Sequence, residues 1–363
     1  MSAKTGYKKI SDKILTPHRL SFASLTPHQG GSNHSELITH PLRGSRRSEA
    51  ESVGGLEDFL VRIEKIERLS NNVVEIFVKA PLIASQTEVG HIFRLQNYHA
   101  LAAKDGDKIL AMEGVAVTAL SVDKVNGIIS GIVVETGGST SLIKNFRIGE
   151  SCVFMGPSGK PTEIPKNETV LFIGGGRGNQ PLTALAEVFK SNNCRVIFIA
   201  GYKKSEFIVR QERMENSCDK MIFAIEEDCN LDLKKPSSLK IKGSVIDGIK
   251  KYFTNYSEKI DRIFTIGNDE MMHEIAKIRH QNLIDAISNA PIAITSLNAP
   301  MQCMLKGVCS QCLQKRIGEN GEIEYFYSCA SQDQDMDKFD FEHLHARCQQ
   351  NSLLEKVVKF DLK

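Results

Sequence analysis

The stretch TVLFIGGGRGNQPLTALAEVFKSNN, residues 169–193, restricts the possible folds more than any other part of this chain. A short apolar run enters a turn of four glycines, Gly174, Gly175, Gly176 and Gly178, and leaves as an amphipathic segment. Leu182, Leu185, Val188 and Phe189 then recur at helical spacing. Pro181 suits the first helical turn, where its missing N–H costs nothing. Strand, glycine turn and helix in this order predict one unit of a parallel, doubly wound sheet. The alternation continues. CRVIFIAGY and KMIFAIEED read as strands, SVIDGIKKYFTNY as a helix, DRIFTIGN as a strand, DEMMHEIAKIRHQ as a helix and PIAITSL as a closing strand. Ligands of such sheets lie at the carboxyl ends of the strands, so GGGRGNQP, AGYKK and IGNDEMM are expected along one rim.

Upstream the pattern is different. FLVRIEKIERL, NVVEIFVKA, HIFRLQNY, GVAVTALSV and GIISGIVVE are short β-branched runs separated by turn residues. Runs at this spacing predict a small antiparallel barrel or sandwich, with STSLIKNF as its single helix. Residues 1–55, rich in Ser, His, Gly and Pro, show no sustained apolar period. That segment is expected to be disordered, because it has too little apolar surface to offset its ordering entropy. Its basic, Ser-rich start has something of an organelle transit peptide, but it carries Asp12, Glu36, Glu49 and Glu51 and lacks an arginine face.

Composition excludes several classes. Of the 363 residues, 41% are hydrophobic and 25% charged, with a net charge of +2 and no dense basic stripe with interleaved aromatics. Nucleic acid is therefore not an expected partner. No apolar run approaches the roughly 18 to 20 residues that cross a bilayer, so no membrane is expected. Without an apolar leader, and with scattered Cys152, Cys194, Cys218 and Cys229 reading as core residues, a cytoplasmic location is expected.

Three features carry chemistry. The glycine turn at 174–178, with Asn179 and Pro181 behind it, suits a diphosphate at a helix N-terminus; an unliganded βα turn is the plain alternative. Gly137, Gly138, Ser139 and Thr140 form a second site of this kind, although a simple N-cap would use the same residues. Lys203 and Lys204 follow the second strand of the sheet, where an adenosine ribose would lie. They are suited to a 2′-phosphate, or else form a solvated basic turn. Finally, Cys303, Cys309, Cys312 and Cys329 follow a C-x5-C-x2-C-x16-C spacing. Four thiolates in such a cluster hold either a zinc ion or a [2Fe–2S] cluster. Cys348 stands outside the set. His273, His280, His343 and His345 show no ligand spacing, and Met271 and Met272 read as core filler.

In this order the motifs resemble the ferredoxin–NADP reductase superfamily, and most of all the FAD- and [2Fe–2S]-containing electron-transfer subunit of dihydroorotate dehydrogenase. The resemblance covers about residues 57 to 330. GGGRGNQPL resembles the nucleotide turn GGGxGxxPL, and GGSTSL the stretch at the FAD diphosphate with Ser139 in place of a threonine. GESCVFMGPSG is similar to the strand and Gly-Pro turn that joins the two domains. IGNDEMM stands where the family has C-G-P-x-x-M, so that Gly267 and Met271 carry over while Asn268 replaces proline. SLNAPMQC resembles the approach to the first cluster cysteine.

Two departures stand out. The first cysteine gap holds five residues where the family has four. The family's flavin-ring arginine pattern is altered: aligning VGHIF with the family's P-G-Q-F puts AMEGVAV, without an arginine, in that place, whereas aligning RLQN keeps Arg94 but puts Gln96 and Asn97 at the Tyr and Ser positions, with Tyr98 on the Arg94 face of the strand. The tail FYSCASQDQDMDKFDFEHLHARCQQNSLLEKV looks like that of fused flavoproteins related to glutamate synthase small subunits.

The resemblance implies an FAD-binding antiparallel β-barrel over 56–165, an NAD(P)-binding α/β sheet over 166–298, and a [2Fe–2S]-binding segment with a C-terminal tail over 299–363. It implies FAD at Arg94, Gln96, Asn97, Tyr98, Gly137, Gly138, Ser139 and Thr140. NAD(P)H would lie at Gly174, Gly175, Gly176, Gly178, Asn179, Pro181, Lys203, Lys204, Gly267 and Met271. The cluster would sit on Cys303, Cys309, Cys312 and Cys329. The expected protein is an electron-transfer oxidoreductase serving a partner catalytic subunit or acceptor protein. Two alternatives stay open: a zinc-stabilised binding module that has lost the flavin, and the reductase component of an oxygenase.

Overall fold

The structure is a computed structural model that describes residues 59–280, 291–297, 305, 307 and 309–349. The expected disorder of residues 1–55 and the ligand role of Cys303 lie outside the described residues.

Six antiparallel strands close a barrel in the order β1 (Leu60–Ser70), β2 (Val73–Lys79), β7 (Ile128–Val134), β6 (Val115–Asp123), β3 (Ile92–Asn97) and β8 (Ser151–Ser158). A short helix α1 (Pro81–Gln86) and a two-stranded hairpin of β4 (Lys104–Asp105) and β5 (Lys108–Ile109) interrupt the run. Alternate β-branched and aromatic side chains point inward, as the strand period of two requires. Ile63, Ile76, Val78, Phe93, Leu95, Ile129 and Phe154 fill the centre, and Phe93 stacks on Phe154 with ring centroids 4.9 Å apart.

The second layer is a seven-stranded sheet in the order β12 (Leu239–Lys242), β11 (Lys220–Ile225), β10 (Arg195–Tyr202), β9 (Thr169–Gly175), β13 (Arg262–Ile266), β14 (Ile292–Ser296) and β17 (Asp333–Asp335). All pairings are parallel except β14 with β17, which is antiparallel. The first strand in sequence, β9, lies inside the sheet with β10 on one side and β13 on the other. This reversal opens a crevice at the carboxyl ends of the strands.

The helices follow from their apolar stripes. Leu182, Leu185 and Phe189 of α3 (Asn179–Ser191), with Met214 of α4 (Gln211–Ser217), cover one face. Val245, Ile249 and Tyr252 of α5 (Val245–Asn255) and Met272, Ile275 and Ile278 of α6 (Asp269–Arg279) cover the other. Ser244 caps α5 by accepting the Asp247 N–H, while Asp247 Oδ2 accepts from the Ser244 amide at 2.8 Å.

The tail packs onto this sheet. After a hairpin of β15 (Leu313–Ile317) and β16 (Ile323–Tyr327) comes β17 at the sheet edge, then a helix α7 over residues 341–349. Met336, Phe339, Phe341 and Leu344 complete the core under α6. Among the described residues no helix is long and apolar enough to cross a membrane.

Two sets of contacts fix the barrel against the sheet. From the start of α4, Arg210 donates to Glu75 Oε2 at 3.1 and 2.6 Å and also reaches Glu67. Arg213 donates to the Leu120 carbonyl at 2.7 Å. On the other side, the linker that leaves β8 is bonded to the tail. Ser158 donates to the Cys329 carbonyl at 2.8 Å, the Gln332 amide bonds both N–H and C=O of Lys160, and Thr162 donates to Asp333 at 2.6 Å.

Candidate functional site

The barrel turn, the strand ends and the cysteine segment face a single cleft of about 1250 Å³. From the barrel it is lined by Thr136, Gly137, Gly138, Ser139 and Thr140, where β7 enters a four-residue helix α2 (Gly138–Ser141). Thr140 Oγ1 accepts from the amides of Thr136 at 2.9 Å and Gly137 at 3.0 Å. Ser139 Oγ accepts from the Glu113 amide at 3.3 Å, tying the loop before β6 to this turn. The hydroxyls therefore shape the turn that presents its glycine backbone to the cleft.

From the sheet, Gly175, Gly176, Gly178 and Pro181 line the opposite wall, with Lys203, Gly267, Asn268 and Met271. The glycines are needed for space as well as conformation. Gly176 has φ +52°, and a Cβ on Gly178 would lie 2.3 Å from the Ile266 carbonyl oxygen. A Cβ on Gly175 would meet the Met271 sulfur at 2.5 Å. Gly174 and Asn179 stand behind the wall. The buried Asn179 amide donates to the carbonyls of Gly176 at 3.0 Å and Gly201 at 3.2 Å, joining the turn to the end of β10. Asn268 caps α6 by accepting the Met271 N–H at 2.7 Å, a bond that proline could not supply. Met272 is core as expected, whereas Met271 faces both core and cleft.

Lys203 and Lys204 are bound in ion pairs at the rim. Lys203 lies 3.3 Å from Glu227, and Lys204 lies 3.6 Å from Glu227 and 3.7 Å from Glu206. Nearby, the Ser205 hydroxyl and amide hold the Asp228 carboxyl below its usual range.

The strand β3 residues are placed differently. Arg94 is buried, with its guanidinium under Gly114, where a Cβ would meet Nε at 1.9 Å. Its Nη1 faces the Met155 sulfur at 3.7 Å, and its Nε has no hydrogen-bond partner. Gln96 bonds His99 at 2.8 Å. Asn97 holds the following loop, donating to Leu110 O at 2.8 Å and accepting from the Met112 amide at 2.9 Å. Neither these three nor Tyr98 lines the cleft.

Cys309, Cys312 and Cys329 line the cleft together. The Cys329 thiol lies within hydrogen-bond reach of Cys312, and this neighbour, followed by burial, pushes the Cys312 thiol far up from its ordinary range. The Gly307 amide donates to Cys329 Sγ at 3.2 Å, an environment that suits a thiolate ligand. Among the described residues no three His, Cys, Asp or Glu side chains converge on one point. The pair Cys312 and Cys329 is assembled, and Cys309 sits on the same wall. The donor chemistry fits a thiolate-held metal or cluster. Cys348 packs against the sheet core, where burial raises its thiol to about 11. The described cysteines are all free.

Sequence reasoning missed Glu113, Arg177, Glu226, Glu270 and Glu274, which also line the cleft. Glu270 and Glu274 are one helical turn apart beside Met271, a spacing that was readable once IGNDEMM was placed on the rim.

A closed antiparallel barrel followed by a doubly wound sheet, with two glycine turns facing each other across a cleft, defines a barrel-and-sheet two-domain architecture. No model of a known protein family matches the chain. An uncharacterised protein of Rickettsia prowazekii (strain Madrid E) is 32% identical over 302 residues, covering 83% of this chain and 33% of its own length. The present chain thus spans about a third of that relative. The electron transfer subunit of dihydroorotate dehydrogenase B (NAD(+)) from Fusobacterium nucleatum subsp. nucleatum is 24% identical over 198 residues, covering 54% of this chain and 68% of that protein. Among solved structures, the NADH-dependent reduced ferredoxin-NADP oxidoreductase superposes with a TM-score of 0.64 at 19% identity, covering 84% of this chain and 98% of that one. The fold is that of the ferredoxin–NADP reductases, and dihydroorotate dehydrogenase electron transfer subunits are among the chain's more distant sequence relatives.

Proposed function

We propose that the chain is an electron-transfer oxidoreductase that uses FAD, NAD(P)H and a [2Fe–2S] cluster to exchange electrons with a partner protein. One observation carries the reading: a single cleft joins the Gly137–Thr140 turn, the glycine rim of the sheet and three of the four clustered cysteines. FAD, when bound, supplies the chemistry that splits a hydride's electron pair into single electrons. The chain's own residues supply position. Gly137, Gly138, Ser139 and Thr140 would hold the flavin diphosphate. Gly175, Gly176 and Gly178 would receive the nicotinamide nucleotide's diphosphate at the start of α3. Gly267 and Met271 shape the wall between the two, and the helix dipole of α6 adds partial positive charge there. Cys303, Cys309, Cys312 and Cys329 would hold the cluster. Free, mostly buried cysteines agree with work in the cytoplasm. Electrons leave to a separate catalytic subunit or acceptor docking near Cys309.

The zinc-module reading draws on the position of Arg94, which lies under Gly114 and off the cleft wall. One experiment separates the two. Anaerobically purified protein should show a flavin envelope with a broad iron–sulfur shoulder, both bleached by NAD(P)H, and contain iron and acid-labile sulfide. Colourless protein containing only zinc would overturn the electron-transfer reading.

A further inference from the structure

Helix α7 touches both the sheet core and the cysteine turn, and the proposed electron path does not account for that second contact. Phe341 and Leu344 anchor the helix in the core under α6. His345 Nδ1 lies 2.5 Å from Asp269 Oδ2 at the start of α6. From this fixed platform Arg347 Nη2 donates to the carbonyls of Ser310 at 3.1 Å and Gln311 at 2.7 Å. Those two residues are the whole interval between Cys309 and Cys312.

The turn needs such support. Ser310 has φ +54°, a left-handed conformation that is strained for a non-glycine residue and persists only where the surroundings hold it. The turn's other bonds are long: the Ser310 amide reaches Gly307 O at 3.3 Å, and the Leu313 amide reaches Ser310 O at 3.3 Å. Among the described residues, the Arg347 bond to Gln311 is the shortest hydrogen bond made to this interval.

From this placement we infer that Arg347 is a positioning residue for the metal site, fixing the Cys309–Cys312 turn in its metal-binding shape. The inference rests on the metal–thiolate reading above. Arg347 itself does not line the cleft, and both of its described hydrogen bonds go to the cysteine turn.

The test uses the full chain with Arg347→Met and Arg347→Lys. Iron, zinc and labile sulfide are measured as purified. Metal release is then timed against excess bathophenanthroline for iron or EDTA for zinc, with the thiolate-to-metal absorption band recorded throughout. Outer-shell partners of metal ligands typically contribute tenfold to a hundredfold in affinity, so Arg347→Met should release metal on the order of tenfold faster or more. Its absorption band should shift, while flavin content and melting temperature stay at wild type. Arg347→Lys, keeping the charge and one donor, should fall between. Wild-type release from Arg347→Met overturns the inference. So does parallel loss of metal, flavin and melting temperature in both variants, which would show a merely structural role. A wild-type protein with neither iron nor zinc would sink the metal reading itself, and this inference with it.

Discussion

Glu75 is a carboxylate inside the barrel wall, and its ion pair with Arg210 of the sheet domain allows a quantitative prediction. The Glu75 side chain is 3% exposed and that of Arg210 is 32% exposed. Glu75 Oε1 accepts from Ser130 at 2.8 Å, and Oε2 accepts two bonds from Arg210. Changing Arg210 to Met removes both of the latter and leaves the carboxylate with one hydrogen bond, from the Ser130 hydroxyl, and Arg213 as a nearby cation. Breaking a fully buried pair costs about 3–5 kcal/mol. Here Arg210 remains partly in water, which lowers the figure to roughly 2–3 kcal/mol. For a chain of this size that corresponds to a drop of about 3–5 °C in melting temperature. A second change, Glu75→Gln, removes the buried charge and should restore at least half of the loss. The assay is thermal unfolding of wild type, both single variants and the double variant, followed by circular dichroism. If Arg210→Met melts within a degree of wild type, or the double variant is no better than the single, the buried-charge argument is wrong. Because the pair bridges barrel and sheet, Arg210→Met should also slow NAD(P)H-dependent bleaching of the flavin without changing how much flavin is bound.

Other consequences follow from single residues. Burial pushes the Asp333 carboxyl above the usual carboxylate range, against hydroxyls of Ser296 and Thr162 that pull it down. Its folded-state pKa therefore exceeds the unfolded one, so it contributes most below the unfolded value and loses that contribution as pH rises through the folded pKa. Asp333→Asn should match or exceed wild-type melting at pH 7 and flatten this part of the pH profile; a less stable variant at pH 7 would refute it. Gly178→Ala places a Cβ 2.3 Å from the Ile266 carbonyl oxygen, so backbone must move. It should cost about 1–3 kcal/mol and abolish bleaching by NAD(P)H, and an unperturbed variant would remove this turn from the nucleotide site. Replacing Lys203 and Lys204 by Glu should lower the NADPH-to-NADH rate ratio by about tenfold, the equivalent of 1.4 kcal/mol. An unchanged ratio would leave both as plain partners of Glu227.

The parallel sheet was legible because its periods were clean. Strands such as VLFIGG alternate with helices whose Leu182, Leu185 and Phe189 all reached the core. The barrel strands were equally readable as β-branched runs. What escaped notice lacked a period. Helix α4, QERMENS, carries one apolar residue, Met214, and it is held by Arg210 and Arg213 reaching into the barrel. Strand β17 is Asp-Gln-Asp and exists because the edge of β14 offers it backbone partners. Of the expected site, the glycine turns line the cleft because backbone space is a local property of glycine. The Arg94 set does not, because its position depends on tertiary neighbours. Arg94 pairs with Ala116 and Met155, and the missing side chain at Gly114 lets the guanidinium fold beneath the wall.

The same contacts bear on how the two halves of the cleft keep their distance. The α4 arginines hold one flank of the barrel. The other flank is held by the tail through Ser158, Lys160 and Thr162, which bond to Cys329, Gln332 and Asp333. Gln332 bonds both polar groups of the Lys160 backbone, so the linker between barrel and sheet is paired to the tail much as one strand is to another. The next residues, Asp333–Asp335, are already part of the sheet. Cys329 therefore sits at a junction where linker, sheet edge and cysteine turn meet. One short piece of chain, residues 329–335, thus bonds the linker on one side and the sheet edge on the other.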